Sequence, residues 1–227
     1  MKIIGIDTST KFLSIGAMDN HGLYEYDVEL NRMHSSLLAP GIKRVMDALG
    51  WRACAIDYFA CGLGPGSFTG VRIGLAAIKG LGLALKKPLV GISSLDILAR
   101  NAVSAYAGNY AFVIPVLDAK RGLVYYSIYK KSGGSLERVA PYALAALDEL
   151  RRKIKPDSLL LGDGLSLYKE QLLSSKRGLK LLDKDHWYPA GRNIVILARE
   201  KIRKNKINDP FNIKPIYLYP KECQIKK

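Results

Sequence analysis

The stretch 62–82, GLGPGSFTGVRIGLAAIKGLG, holds the residue types that could bind an anion. Gly64, Pro65 and Gly66 set a tight turn, and Ser67 and Thr69 are good N-cap residues for the helix that follows. Such a helix start presents free backbone N–H groups to a phosphate. The nucleotide templates nevertheless fail. No Gly-Lys-Ser/Thr follows at P-loop spacing, and Gly62, Gly64 and Gly66 lack a third glycine in dinucleotide register. Nucleophilic chemistry fails too, because Ser67 lies in Gly66-Ser67-Phe68 with no base near it rather than in Gly-x-Ser-x-Gly. His21, His34 and His186 are dispersed, with no His-x-x-x-His pair, and Cys54, Cys61 and Cys223 lack ligand spacing. No metal site, cofactor or catalytic residue is therefore expected.

The helix behind the turn is more informative. Gly70 and Gly74 lie four apart, as do Ala76, Gly80 and Ala84, giving two tracks of small residues. The rest (Val71, Ile73, Leu75, Ile78, Leu81, Leu83, Leu85) is apolar almost all round. Each helical glycine costs about 0.8–1 kcal/mol against alanine, so several in one helix imply close approach by a neighbour. One face must pack on a sheet. The second is read as a helix-on-helix interface.

The elements that position this segment repeat. Residues 2–7 (KIIGID) and 12–18 read as strands, and 23–30 alternates with period two. Helix 35–49, strand 58–61, helix 70–85, strand 88–92 and helix 94–106 complete the first half. The second half begins with the apolar run 111–117 (AFVIPVL), which ends at Asp118 as the first run ends at Asp7. Strands at 124–129 and near Arg138, helix 143–153, strand 158–161 and helices 166–173 and 190–204 follow. Antiparallel strands feeding parallel βα units predict an α/β chain of mixed sheets flanked by helices, built by duplication. Its half-domains are expected at 1–107 and 108–227, with the break near Gly108 and Asn109.

Composition sets the outer limits. Hydrophobic residues make up 48% of the 227, enough for a sizeable core. No run is expected to span a membrane, the opening strand leaves no room for a signal peptide, and an odd number of cysteines fits a reduced cytoplasm. The net charge of +15 is uneven: residues 151–227 carry 19 Lys and Arg against 8 Asp and Glu, while 1–150 carry 16 against 12. That basic half either lies near phosphate backbones or is a solvated surface.

GPGSFTGVRIG followed by Lys79-Gly80-Leu81 resembles the hallmark of the TsaB (YeaZ) family. Ile6-Asp7-Thr8-Ser9, His34-Ser35, residues 117–125 (LDAKRGLVY), Gly162-Asp163-Gly164, Pro189-Ala190 and Pro215-Ile216-Tyr217-Leu218 extend the resemblance along almost the whole chain. It implies two tandem actin-like (ribonuclease-H-like) half-domains. It also implies a non-catalytic activator of TsaD, which transfers threonylcarbamoyl to the adenosine beside the anticodon of tRNAs reading A-starting codons. TsaE, a small ATPase, joins the pair, TsaC supplies threonylcarbamoyl-adenylate, and tRNA is met through the complex. The chain alone is expected to form a homodimer. The first-half helices imply an interface at His34, Leu38, Ile42, Val45, Gly70, Gly74, Ile78 and Leu81. Two positions depart from the family pattern, Ser36 for Glu or Gln and Tyr219 for Arg. In actin-like phosphotransferases an acid ending the first strand of each half orients a magnesium-bound nucleotide, so a stand-alone ATPase or small-molecule kinase is the alternative. Here Asp118 is followed by Ala119-Lys120-Arg121-Gly122, bulky where phosphate would approach. Both acids are therefore read as turn caps.

Overall fold

The computed structural model describes residues 1–30 and 34–219, and of His34 only the backbone. Cys223 lies outside them. The chain forms two compact units, one of residues 1–97 with 189–216 and one of residues 98–188 with 217–227. The expected division at 107 and 108 is thus corrected: the last helix among the described residues belongs to the first unit.

The first unit carries β1 (Ile3–Asp7), β2 (Phe12–Met18), β3 (Leu23–Glu29), α1 (His34–Ala48), β4 (Tyr58–Gly62), α2 (Phe68–Leu85) and β5 (Leu89–Ile92). Its sheet runs β3-β2-β1-β4-β5, with β1 antiparallel to β2 and parallel to β4. Strand alternation sorts the side chains between two cores. Ile4 and Ile6 of β1 join Leu38, Ile42, Val45, Leu75 and Ile78 under α1 and α2. Ile3 faces the other way, toward Ile194, Val195 and Ala198.

That second face explains the boundary. The helix bearing Ile194 is α7 (Gly191–Arg203), which follows α3 (Ser94–Ala99), α4 (Asn101–Ala105), α5 (Leu147–Lys153) and α6 (Leu165–Leu173). α1 and α2 both pack on the opposite face, and α7, with Ile97 of α3, covers this one. A Cβ on Gly16 or Gly191 would overlap the other strand's or helix's backbone, and Gly191 N–H donates to Asp27 Oδ1 at 3.1 Å. Arg192 Nε adds a bond to Glu25 Oε2 at 2.8 Å.

The second unit holds β6 (Phe112–Lys120), β7 (Leu123–Tyr126), β8 (Tyr129–Ser132), β9 (Ser135–Arg138), β10 (Ala143–Ala146), β11 (Ser158–Leu161) and β12 (Lys180–Leu181). Its main path, β10-β7-β6-β11-β12, has the same plan as β3-β2-β1-β4-β5, as duplication predicts. The expected helix at 143–153 is corrected. Residues 143–146 pair antiparallel with β7, and only then does α5 begin, acidic in its first turn and basic in its last, as the helix dipole favours.

One expectation about membranes also changes. By length and composition alone α2, with mean hydropathy 1.4, could cross one. Here its buried residues Val71, Leu75 and Ile78 pack in the first unit's core. A core helix of a globular unit passes the same test.

Candidate protein interface

The Gly-rich segment closes over the end of β1. Asp7 is 1% exposed, and both its oxygens are engaged. Oδ1 accepts from Ser9 N–H (2.8 Å) and from the Ser9 hydroxyl (2.6 Å), and Oδ2 accepts from the Ser94 hydroxyl (2.6 Å). Ser94 Oγ in turn accepts from Gly64 N–H at 3.1 Å, and Ser67 N–H donates to Ser9 O at 2.7 Å. A Cβ on Gly62 would overlap the Asp7 carboxylate. Asp7 therefore ties three segments together, in the manner of a turn-capping acid. Cys61, one residue before Gly62, is fully buried, and that burial, with Asp7 adding, pushes its thiol well up from the ordinary range.

α2 starts where the turn ends. Ser67 is its N-cap, accepting from Gly70 N–H at 3.2 Å. Gly70 lies against Thr8 O, and Gly74 against Thr8 Oγ1, whose hydroxyl donates to Gly70 O at 2.7 Å. This small-residue track thus serves the first strand's turn and not a partner. Most of the expected interface is corrected for the same reason. Leu38, Ile42, Val45, Gly70, Gly74 and Ile78 are buried inside the first unit, and Leu81 is half-buried against its core. The side chain of His34 lies outside the described residues.

The other track faces outward. Ala76, Gly80 and Ala84 are exposed, and a Cβ on Gly80 would meet nothing within 4 Å. Around them stand Phe68 and Leu83, 46% and 41% exposed, with the Arg72 guanidinium 3.6 Å from the Phe68 ring centroid. Exposed positions on α1 include Ser36, Ala39, Pro40, Lys43, Arg44 and Asp47, with Lys43 and Asp47 paired at 2.6 Å. Sequence spacing located both tracks. It could not say which one faced the sheet, because apolar residues surround α2.

In the second unit Asp118 takes a comparable capping role. Its Oδ1 accepts from Lys120 N–H (2.8 Å) and its Oδ2 pairs with Lys120 Nζ (2.6 Å). Asp118 N–H donates to Asp163 Oδ1 at 3.0 Å. Burial pushes the Asp163 carboxyl up from its ordinary value, with the neighbouring Asp118 charge acting the same way. Gly162 and Gly164 let this loop lie on Val116, as Gly62 lies on Asp7. Asp163 and Ser94 were not anticipated as partners of these acids; only the Gly-Asp-Gly and Ser-Ser spacings hinted at them. Tyr219, one of the family departures, donates its hydroxyl to Ala119 O (2.7 Å) and meets Tyr125 edge-on. Ser36, the other, is exposed on α1. Among the described residues no group of three or more His, Cys, Asp or Glu could hold a metal ion.

Two sheets of one strand plan, each with an acid near the end of its first strand and a helix-covered parallel edge, define an actin-like α/β protein. The family of tRNA N6-adenosine threonylcarbamoyltransferases (TsaD) matches residues 28–213. The tRNA threonylcarbamoyladenosine biosynthesis protein TsaB of Bacillus subtilis (strain 168) is 31% identical, the match covering 100% of this chain and 97% of that protein. Its counterpart in Escherichia coli (strain K12) is 28% identical over 96% of this chain and 94% of its own. The solved structure of YeaZ from Pseudomonas aeruginosa superposes with a TM-score of 0.85 at 26% identity, covering 96% of this chain and 99% of that one. The chain belongs to the TsaB (YeaZ) family.

Proposed function

We propose that this protein acts in tRNA threonylcarbamoyladenosine biosynthesis as a non-catalytic partner of TsaD, which it activates and bridges to TsaE. The observation that carries the reading is the outward face of α2. Its inner glycines are already used against Thr8, so the exposed run of Ala76, Gly80 and Ala84, flanked by Phe68 and Leu83, is left for a helix of another chain. Small residues permit backbone approach there, and the flanking apolar groups supply burial. The closed state of Asp7 argues against a stand-alone ATPase or kinase, since both carboxylate oxygens already accept protein donors. The test is co-purification with tagged TsaD, together with threonylcarbamoyl transfer to tRNA by the reconstituted set. Gly80→Leu is expected to abolish both without lowering the thermal unfolding temperature. A Gly80→Leu protein that still co-purifies and activates would refute the interface. Micromolar ATP binding by the isolated chain, lost in Asp7→Asn, would refute the non-catalytic reading.

A further inference from the structure

β5 ends the first unit's sheet, and residues 205–213 run along its outer edge as a strap. Asn208 N–H donates to Leu89 O at 2.7 Å, and its side-chain Oδ1 accepts from Gly91 N–H at 2.8 Å. Lys201 Nζ donates to Gly91 O at 2.6 Å. These bonds occupy the edge, so an added strand is not accommodated there. The strap is itself held in shape. Asp209 accepts from Phe211 N–H (3.0 Å) and from Asn212 Nδ2 (2.6 Å), and Ile213 is buried in the core.

Edge protection accounts for Asn208 but not for the strap's apolar side chains. Between the strap and the end of α2 lies a groove of about 660 Å³, walled by Leu83, Pro88, Ile207, Pro210 and Phe211. Leu83 is 41% exposed, Ile207 44% and Phe211 73%. Three large apolar groups converging on one open groove are more than a scattered surface provides. Its rim is cationic. Lys86 and Lys87 line it, Lys79 reaches Phe211 O at 3.5 Å, and exposed Lys204 and Lys206 precede Ile207. Asp209 is the acid of the wall, and its carboxylate is engaged within the strap.

We propose that this groove docks an acidic, amphipathic segment of another protein, with a large apolar side chain entering beside Phe211 and carboxylates meeting Lys79, Lys86 and Lys87. Charge complementarity selects an acidic partner and argues against a second copy of this chain, whose net charge is +15. The lining selects peptide over nucleic acid. Two prolines, a leucine and an isoleucine with one aromatic ring suit an inserted apolar side chain, whereas single strands need successive stacking platforms. The groove shares Leu83 with the Ala76–Gly80–Ala84 face of the TsaD reading, but its own determinants, Phe211, Ile207, Lys86 and Lys87, lie outside that face, so the variants below test it separately.

The test is selection of a random-peptide display library on the full chain, followed by fluorescence anisotropy with the selected peptides. Acidic peptides bearing Leu, Ile, Phe or Trp are expected to be enriched. Phe211→Ser, and separately the double change Lys86→Glu/Lys87→Glu, are expected to weaken binding by about 10-fold or more. Added salt should weaken wild-type binding and affect the charge-reversed variant far less. Ile207→Ser provides a second apolar probe outside the core. Enrichment without regard to charge, or full affinity in both Phe211→Ser and the double variant, would overturn the proposal. So would a labelled oligodeoxythymidine that binds more tightly than the peptides and is lost with Phe211→Ser.

Discussion

Alanine at Gly74 and at Gly80 is the same chemical change in the interior of one helix, yet opposite outcomes are expected. Both substitutions gain helix propensity, about 0.8–1 kcal/mol. At Gly80 nothing opposes the gain, since a Cβ meets open space. Gly80→Ala should stabilise the protein by about 1 kcal/mol, raising the melting temperature by roughly 2–4 °C for a chain of this size. At Gly74 the added carbon lies well inside contact distance of Thr8 Oγ1, with Ile6 Cδ1 at 3.4 Å behind it. Thr8 is buried, and its hydroxyl donates to Gly70 O. Relief requires either backbone movement, costing about 1–3 kcal/mol, or rotation that strands the hydroxyl, costing a similar amount. After the propensity gain, a net loss of up to about 2 kcal/mol remains for Gly74→Ala. Urea unfolding followed by circular dichroism reads both values. Shifts of the same sign would mean that the inward and outward tracks of α2 have been assigned wrongly. The pair also governs which variant can test docking. Gly74→Leu, the choice that sequence spacing suggests, drives a larger group against Thr8 and should compromise folding. Gly80→Leu changes only the surface.

Three further outcomes follow from the same geometry. Asp7→Ala removes the acceptor for two hydroxyls and one N–H in a buried turn, and should cost at least about 2 kcal/mol in urea unfolding; wild-type stability would show that the acid does not hold the turn. Because the Asp163 pKa is raised in the folded state, that state binds the proton more tightly than the unfolded chain, so this group's contribution is full at low pH and declines as pH rises through the folded pKa. Asp163→Asn, neutral at every pH and still an acceptor, should thus melt near wild type around pH 4 and above it at pH 8, and the reverse order would contradict the assigned burial. Asn208→Ala leaves Gly91 N–H without its side-chain acceptor, and hydrogen exchange at that amide should accelerate by about 10-fold, consistent with a loss of roughly 1.4 kcal/mol; unchanged protection would mean that the strap does not seal β5.

The contrast between what was legible and what was not follows one physical divide. Local pattern carried β1 to β5, the cap at Ser67 and the duplicated plan, because period, turn chemistry and strand-ending acids are properties of neighbours in sequence. Orientation and long-range closure were not legible. α2 is apolar nearly all round, so its inward face is chosen by Thr8 lying under Gly70 and Gly74, a contact more than 60 positions away in sequence. The same holds for α7, which was expected as a helix at 190–204 but whose destination was not legible. β1 alternates Ile3 against Ile4 because its sheet is covered on both faces, and a helix from beyond residue 189 joins Ile97 in covering the second. The consequence reaches the interface itself. Duplication supplied each unit with a glycine-lined turn below its first-strand acid, and in the first unit that turn is sealed by Ser9, Ser94 and Gly62. With both Asp7 oxygens engaged from within, the turn has no open carboxylate oxygen to offer a nucleotide's cation, and the exposed face of the helix launched from it, beginning at Phe68, is the surface proposed for a partner.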